Sequence, residues 1–207
     1  MAVRALALLA LSGALGTVAA NTLAAFLVDA TVSTGFDPAR AGLLLAVGSM
    51  SSVIVRVAMG SFVDAHRFSL FGLVAGLLAT GAVGLGALSV ANSGVMVSTA
   101  AIVSYLGIWG WNGIFTLAIV RSNPSAPAAA TGITQAGLYM GGVVGPTVFG
   151  FVASSAGYAA AWGITALSAT LGAIGIGLSA LRPPAVERAA PRSEGPPDAL
   201  PATGGAL

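Results

Sequence analysis

Few side chains in this sequence are able to do chemistry, and their types exclude more than they allow. The single histidine, His66, stands in a polar hinge, Ser61 to Arg67, and there is no cysteine. Intramembrane serine hydrolysis needs a serine beside a histidine base. A metal centre needs several histidines or carboxylates, and a paired-aspartate protease needs two aspartates inside helices. None of these sets occurs, so the chain reads as a non-enzyme with no cofactor and no metal. What remains are polar side chains set singly into apolar stretches: Thr17 and Asn21, four apart; Trp109, Trp111 and Asn112 among Gly107, Gly110 and Gly113; Gln135 and Tyr139, again four apart. Polar groups of this kind turn away from lipid, toward a neighbouring helix or a wet cavity.

The elements that must hold them are membrane helices. The 207 residues are 57% hydrophobic and only 7% charged, where a soluble domain carries roughly a quarter charged residues. The net charge of +2 comes from arginine without lysine, which gives no basic surface for nucleic acid. The spans expected are about 5–28, 41–63, 70–90, 95–119, 131–154 and 158–181, each close to the 20 residues needed to cross a hydrocarbon core. Breaks are expected at Asp29 to Arg40, at the hinge, at Ala91-Asn92-Ser93-Gly94, at Arg121 to Pro127 and at Ser154-Ser155-Ala156-Gly157. Residues 183–207, rich in Pro, Ala, Gly and Glu, are expected to be a disordered cytoplasmic tail. The first span competes with a signal-peptide reading, with Arg4 as its basic end and Ala19-Ala20 near a cleavage site. The apolar run continues to Val28, longer than such a segment needs.

Six spans place both termini on one side. Arg4, Arg67, Arg121, Arg182, Arg188 and Arg192 fall on that side and Arg56 near it, whereas Arg40 is opposite with Asp29 and Asp37. The positive-inside rule then makes both ends cytoplasmic, and the expected location is the plasma membrane.

Two motifs stand on this frame. Arg56-x-x-x-Gly60-x-x-x-Asp64-Ala65-His66-Arg67 lies at the cytoplasmic mouth of the second span. It resembles the loop motif Gly-x-x-x-Asp-(Arg/Lys)-x-Gly-(Arg/Lys)-(Arg/Lys) of the major facilitator superfamily. Ala65 replaces the first base and Arg67 stands where the motif has glycine. In the fifth span, Gly132, Gly141, Gly145, Pro146 and Gly150 follow the superfamily's Gly-x8-Gly-x3-Gly-Pro-x2-Gly-Gly pattern, with Phe149 in place of one glycine. The degenerate loop motif and the tail after the sixth span favour the C-terminal half of such a transporter.

The resemblance implies an all-α membrane fold of two inverted three-helix repeats, moving a small solute by alternating access as one half of a secondary transporter. It implies that Thr17, Asn21, Trp109, Asn112, Gln135 and Tyr139 are candidates for the substrate cavity, and that Arg56, Gly60, Asp64 and Arg67 gate the cytoplasmic side. Gly137, Gly141 and Gly145 are spaced four apart and form one slanting groove on a helix. Such poor helix formers are expected where a second helix approaches closely, so the groove is expected to receive a second six-helix half or a second copy. The rival expectation is a truncated or accessory membrane subunit with no transport of its own.

Overall fold

The computed structural model describes residues 3–65 and 69–181, with the side chains of Asp64 and Ala65 excepted. Among the described residues the protein is all-helical. The elements are α1 (Val3–Ser33), α2 (Pro38–Ala65), α3 (Leu70–Ser89), α4 (Gly94–Gly110), α5 (Asn112–Ser122) and α6 (Pro127–Ala180). With α4 and α5 taken as one stretch, Gly94–Ser122, five helices are long and apolar enough to cross a membrane. The expected tail, His66 and Arg67 lie outside the described residues.

Local chemistry sets the helix ends. Gly35, at φ 93°, closes α1: its N–H donates to the Val32 carbonyl at 2.9 Å, and the Phe36 N–H donates to Thr31 at 3.2 Å. This glycine-terminated pattern uses carbonyls that a helix end otherwise leaves open. Asp37 then starts α2, its Oδ1 accepting from the Ala39 N–H at 3.0 Å, and Pro38 fills the first helical position. Ser69 and Ser93 cap α3 and α4 in the same way, accepting from Gly72 and Met96, each at 3.3 Å.

The structure draws three of the expected spans more finely. The first helix extends to Ser33 rather than Val28, leaving a connector of only 34–37. Its last turn stays helical because the Thr31 and Ser33 hydroxyls donate to the Leu27 and Ala30 carbonyls at 2.8 and 2.7 Å. The expected span 95–119 lies within the stretch Gly94–Ser122, in which Trp111 alone separates α4 from α5. The stretches 131–154 and 158–181 correspond to two helical parts of α6 joined at Gly157, the one non-helical residue of Pro127–Ala180, at φ 85° and ψ 166°, within the break expected at 154–157. That left-handed φ is open to glycine and strained for other residues.

Close approaches fix the packing directions. A Cβ on Gly137 would come within 2.5 Å of the Ala10 carbonyl oxygen, one on Gly141 would overlap the Ala14 carbonyl oxygen, and one on Gly145 would lie 2.8 Å from the Val18 Cα. The first part of α6 therefore runs parallel to α1. After Gly157 the order reverses: the Ser168 hydroxyl donates to the Leu15 carbonyl at 2.9 Å, and Gly172 and Gly175 face Ser12. The later part of α6 also runs antiparallel to α3, with Gly163 against Ser89, Gly86 against Ala166 and Gly177 against Ala75. Between α3 and α4, Gly81 meets Ile108 and Gly84 meets Ser104, again antiparallel. Along α2 and α4 the order is parallel, Gly48 against Tyr105 and Val55 against Gly110.

The glycine groove of α6 is thus filled from inside the chain, by the backbone of α1. Gly132, in contrast, faces open space, and Gly150 meets Phe26 at an ordinary 3.4 Å.

Candidate functional site

Arg56 is the one charged side chain described within the apolar span of α2 after its first turn. It lies seven residues before the end of that span at Val63, which is about 10 Å at the rise of a helix. An arginine at the centre of a span costs about 2.5–3.5 kcal/mol on insertion scales, and less toward its ends. Its surroundings offset part of this. The Nε donates to the Trp109 carbonyl at 2.7 Å, and the guanidinium sits 5.5 Å from the centre of the Trp109 ring. A cation over an indole face contributes roughly 0.5–2 kcal/mol. No carboxylate pairs with it among the described side chains.

The Trp109 carbonyl lies in the last turn of α4, where carbonyls begin to lose their intrahelical donors. A side chain entering the hydrogen-bond ladder is one of the recognised causes of a helix break. Two residues on, the helix is interrupted at Trp111, with α5 restarting at Asn112 and no side chain capping its first turn. Between α2 and this break lies a cavity of about 280 Å³, lined by Arg56, Gly60, Val63, Gly110, Gly113 and Ile114 among others. Three glycines in the wall bring backbone to its surface. A Cβ on Gly113 would meet nothing within 4 Å, so the space over α5 is open.

The structure scatters the residues expected to line a cavity rather than gathering them around one. Trp109 belongs with Arg56. Asn112, Gln135 and their neighbours form a second set: Gln135 Nε2 donates to the Thr116 hydroxyl at 3.4 Å, and that hydroxyl donates to the Asn112 carbonyl at 3.1 Å. Asn21 donates to the Thr17 carbonyl at 3.2 Å and lies against Gly142, while the Thr17 hydroxyl, buried, donates to the Gly13 carbonyl at 3.0 Å. Tyr139 is 73% exposed on the outer face of α6. The Asn112 Oδ1 and the indole nitrogens of Trp109 and Trp111 are buried without a protein partner, a costly state that gathers at the α4–α5 break.

Of the gating residues, Arg56 turns sideways into the cavity, Gly60 shares its wall, and the Asp64 side chain and Arg67 lie outside the description. Thr116 and the break itself were not foreseen. The only sequence signal is the Gly-Trp-Gly-Trp-Asn-Gly run, whose glycines at 107, 110 and 113 weaken the helix locally. Among the described residues there is no group of three histidine, cysteine or acidic side chains suited to a metal ion. Neither a protein-family model nor a curated protein matches the chain.

Proposed function

We propose that this chain is a six-helix half of a major facilitator-type secondary transporter in the plasma membrane, moving a small solute by alternating access together with a second six-helix half. In this reading the residues before and after Gly157 are separate crossings, and the helices form two inverted triplets with both termini cytoplasmic.

One observation carries the proposal. Write the crossings in order as one to six and exchange one with four, two with five and three with six, as an inverted repeat requires. The parallel contact of one with five, Gly141 on Ala14, exchanges with the parallel contact of two with four, Gly48 on Tyr105. The antiparallel contact of three with four, Gly84 on Ser104, exchanges with that of one with six, Gly172 on Ser12. The antiparallel contact of three with six maps onto itself. Alternating crossings fix these directions in any fold; what the exchange preserves is the choice of neighbours, since each of these close contacts maps onto another of them or onto itself.

The need for a second half is supported by the open face of α2 and by outward-facing Tyr139, since a cavity walled on one side has nothing to close against it. The glycine groove gives no such support, because α1 occupies it.

Single cysteines at Thr34, Ser93, Ser125 and Ser155 test the topology in intact cells. An impermeant reagent is expected to label positions 34, 93 and 155 and to spare 125; the opposite pattern sinks the six-crossing reading. Flux in liposomes, with and without the product of the adjacent reading frame, tests transport. Robust flux by a strict monomer of this chain alone refutes the requirement for a second half.

A further inference from the structure

We infer that the cavity between α2 and the α4–α5 break is an anion site, and that the solute it admits carries a carboxylate or an oxyanion. The inference about the site stands on the cavity; its extension to the solute rests on the transport reading above.

Charge comes first. Arg56 is a permanent cation well inside the apolar span, with no described carboxylate beside it. A lone charge in a low-dielectric region needs a counter-charge, and none of the described side chains supplies one. Its aim is fixed as well. With Nε given to the Trp109 carbonyl and the guanidinium carbon 5.5 Å from the centre of the Trp109 ring, the exposed side chain is directed toward the α4–α5 break. Its two terminal nitrogens have no protein partner among the described residues. They present the parallel pair of donors that grips carboxylates and oxyanions in two-pronged fashion.

The space fits the same chemistry. About 280 Å³ lies at the lower edge of small-molecule sites and suits a compact anion. Gly60, Gly110 and Gly113 expose backbone in a wall otherwise lined by Arg56, Val63, Ile114 and Leu117. Gly113 and Ile114 belong to the uncapped first turn of α5, an end of a helix that favours negative charge.

An anionic lipid headgroup has the same chemistry as a soluble anion. Depth decides for the soluble one: Arg56 is about 10 Å inside the end of the span, and the Trp109 contact directs it toward the α4–α5 break.

The test is binding by the purified full chain in a neutral detergent. Nitrate, sulfate, phosphate, acetate and benzoate are titrated at constant ionic strength against acetamide and benzamide, with tryptophan emission and thermal stability as readouts. At least one anion is expected to give a saturable change that its neutral counterparts do not. Arg56→Gln should weaken it about tenfold or more, with Arg56→Lys intermediate because it lacks the planar fork. Gly113→Leu should weaken it equally while leaving the charge in place, which covers the case in which Arg56→Gln does not fold. No saturable response to any anion, or an undiminished response in both variants, overturns the site. A parallel arm compares nanodiscs of phosphatidylcholine and phosphatidylglycerol; a response only to phosphatidylglycerol overturns the soluble-anion assignment. Binding without flux in the two-half liposome assay sinks the transport reading and leaves the site, and flux without anion binding does the reverse.

Discussion

The seam between α1 and the first part of α6 and the seam between α2 and α4 run in the same direction but are built on opposite principles. In the first, glycines at 137, 141 and 145 let two backbones touch, and the contact is uninterrupted from Ala10 to Val18. In the second, the close approach is confined to Gly48 and Gly110, Arg56 ties α2 to α4 through the Trp109 carbonyl, and a cavity opens beside it. Burial follows the contrast: half of the most apolar stretch of α1 is buried, against 17% of that of α2. Under the proposed repeat the two seams are equivalent positions. One copy has then been specialised for rigidity and the other for an open, polar space, as expected when one wall of a site must be fixed and the other must yield.

The largest effect should come from breaking the closed seam. Gly141→Leu forces a side chain into the Ala14 carbonyl, where the obstacle is backbone and cannot swing aside. Overpacking of this kind costs about 1–3 kcal/mol or more, and the chain should lose its folded, monodisperse state in detergent. A Gly141→Leu protein that melts like the parent would show that the seam is not close-packed. Next comes Arg56→Gln at the open seam. It removes a membrane charge whose insertion costs at most about 2.5–3.5 kcal/mol and one hydrogen bond, so stability should hold or rise while flux of the two-half transporter is lost. A large fall in melting temperature would make Arg56 a structural residue instead.

A finer separation is available at the mouth of the same seam. Asp64→Asn is expected to slow turnover with little change in binding, because its proposed place is the cytoplasmic gate; weakened equilibrium binding with normal turnover would contradict that. The smallest effect lies between Gln135 and Thr116, whose bond is long at 3.4 Å. A double-mutant cycle with Gln135→Leu and Thr116→Val should give a coupling of about 0.6 kcal/mol, typical of hydrogen bonds between membrane helices. A coupling several times larger would mean that this pair is part of the rigid framework.

The sequence by itself determined the helical, membrane-compatible character of the chain, because long uncharged runs leave no other way to satisfy backbone N–H and C=O groups. It also marked the turns at Gly35, Asp37-Pro38 and Gly157, where glycine conformation and capping act over a few residues. The glycine row was legible as a packing surface, since a helix of known pitch aligns residues four apart. Which helix fills that row was not legible: spacing describes one surface and carries no information about its mate, and α1 emerges only once the chain is folded. The break at Trp111 has the same origin. Glycines made it possible, but Arg56, 53 residues away in the chain, holds the Trp109 carbonyl at the break. Only the tertiary structure brings that guanidinium, that carbonyl and the cavity beside them together.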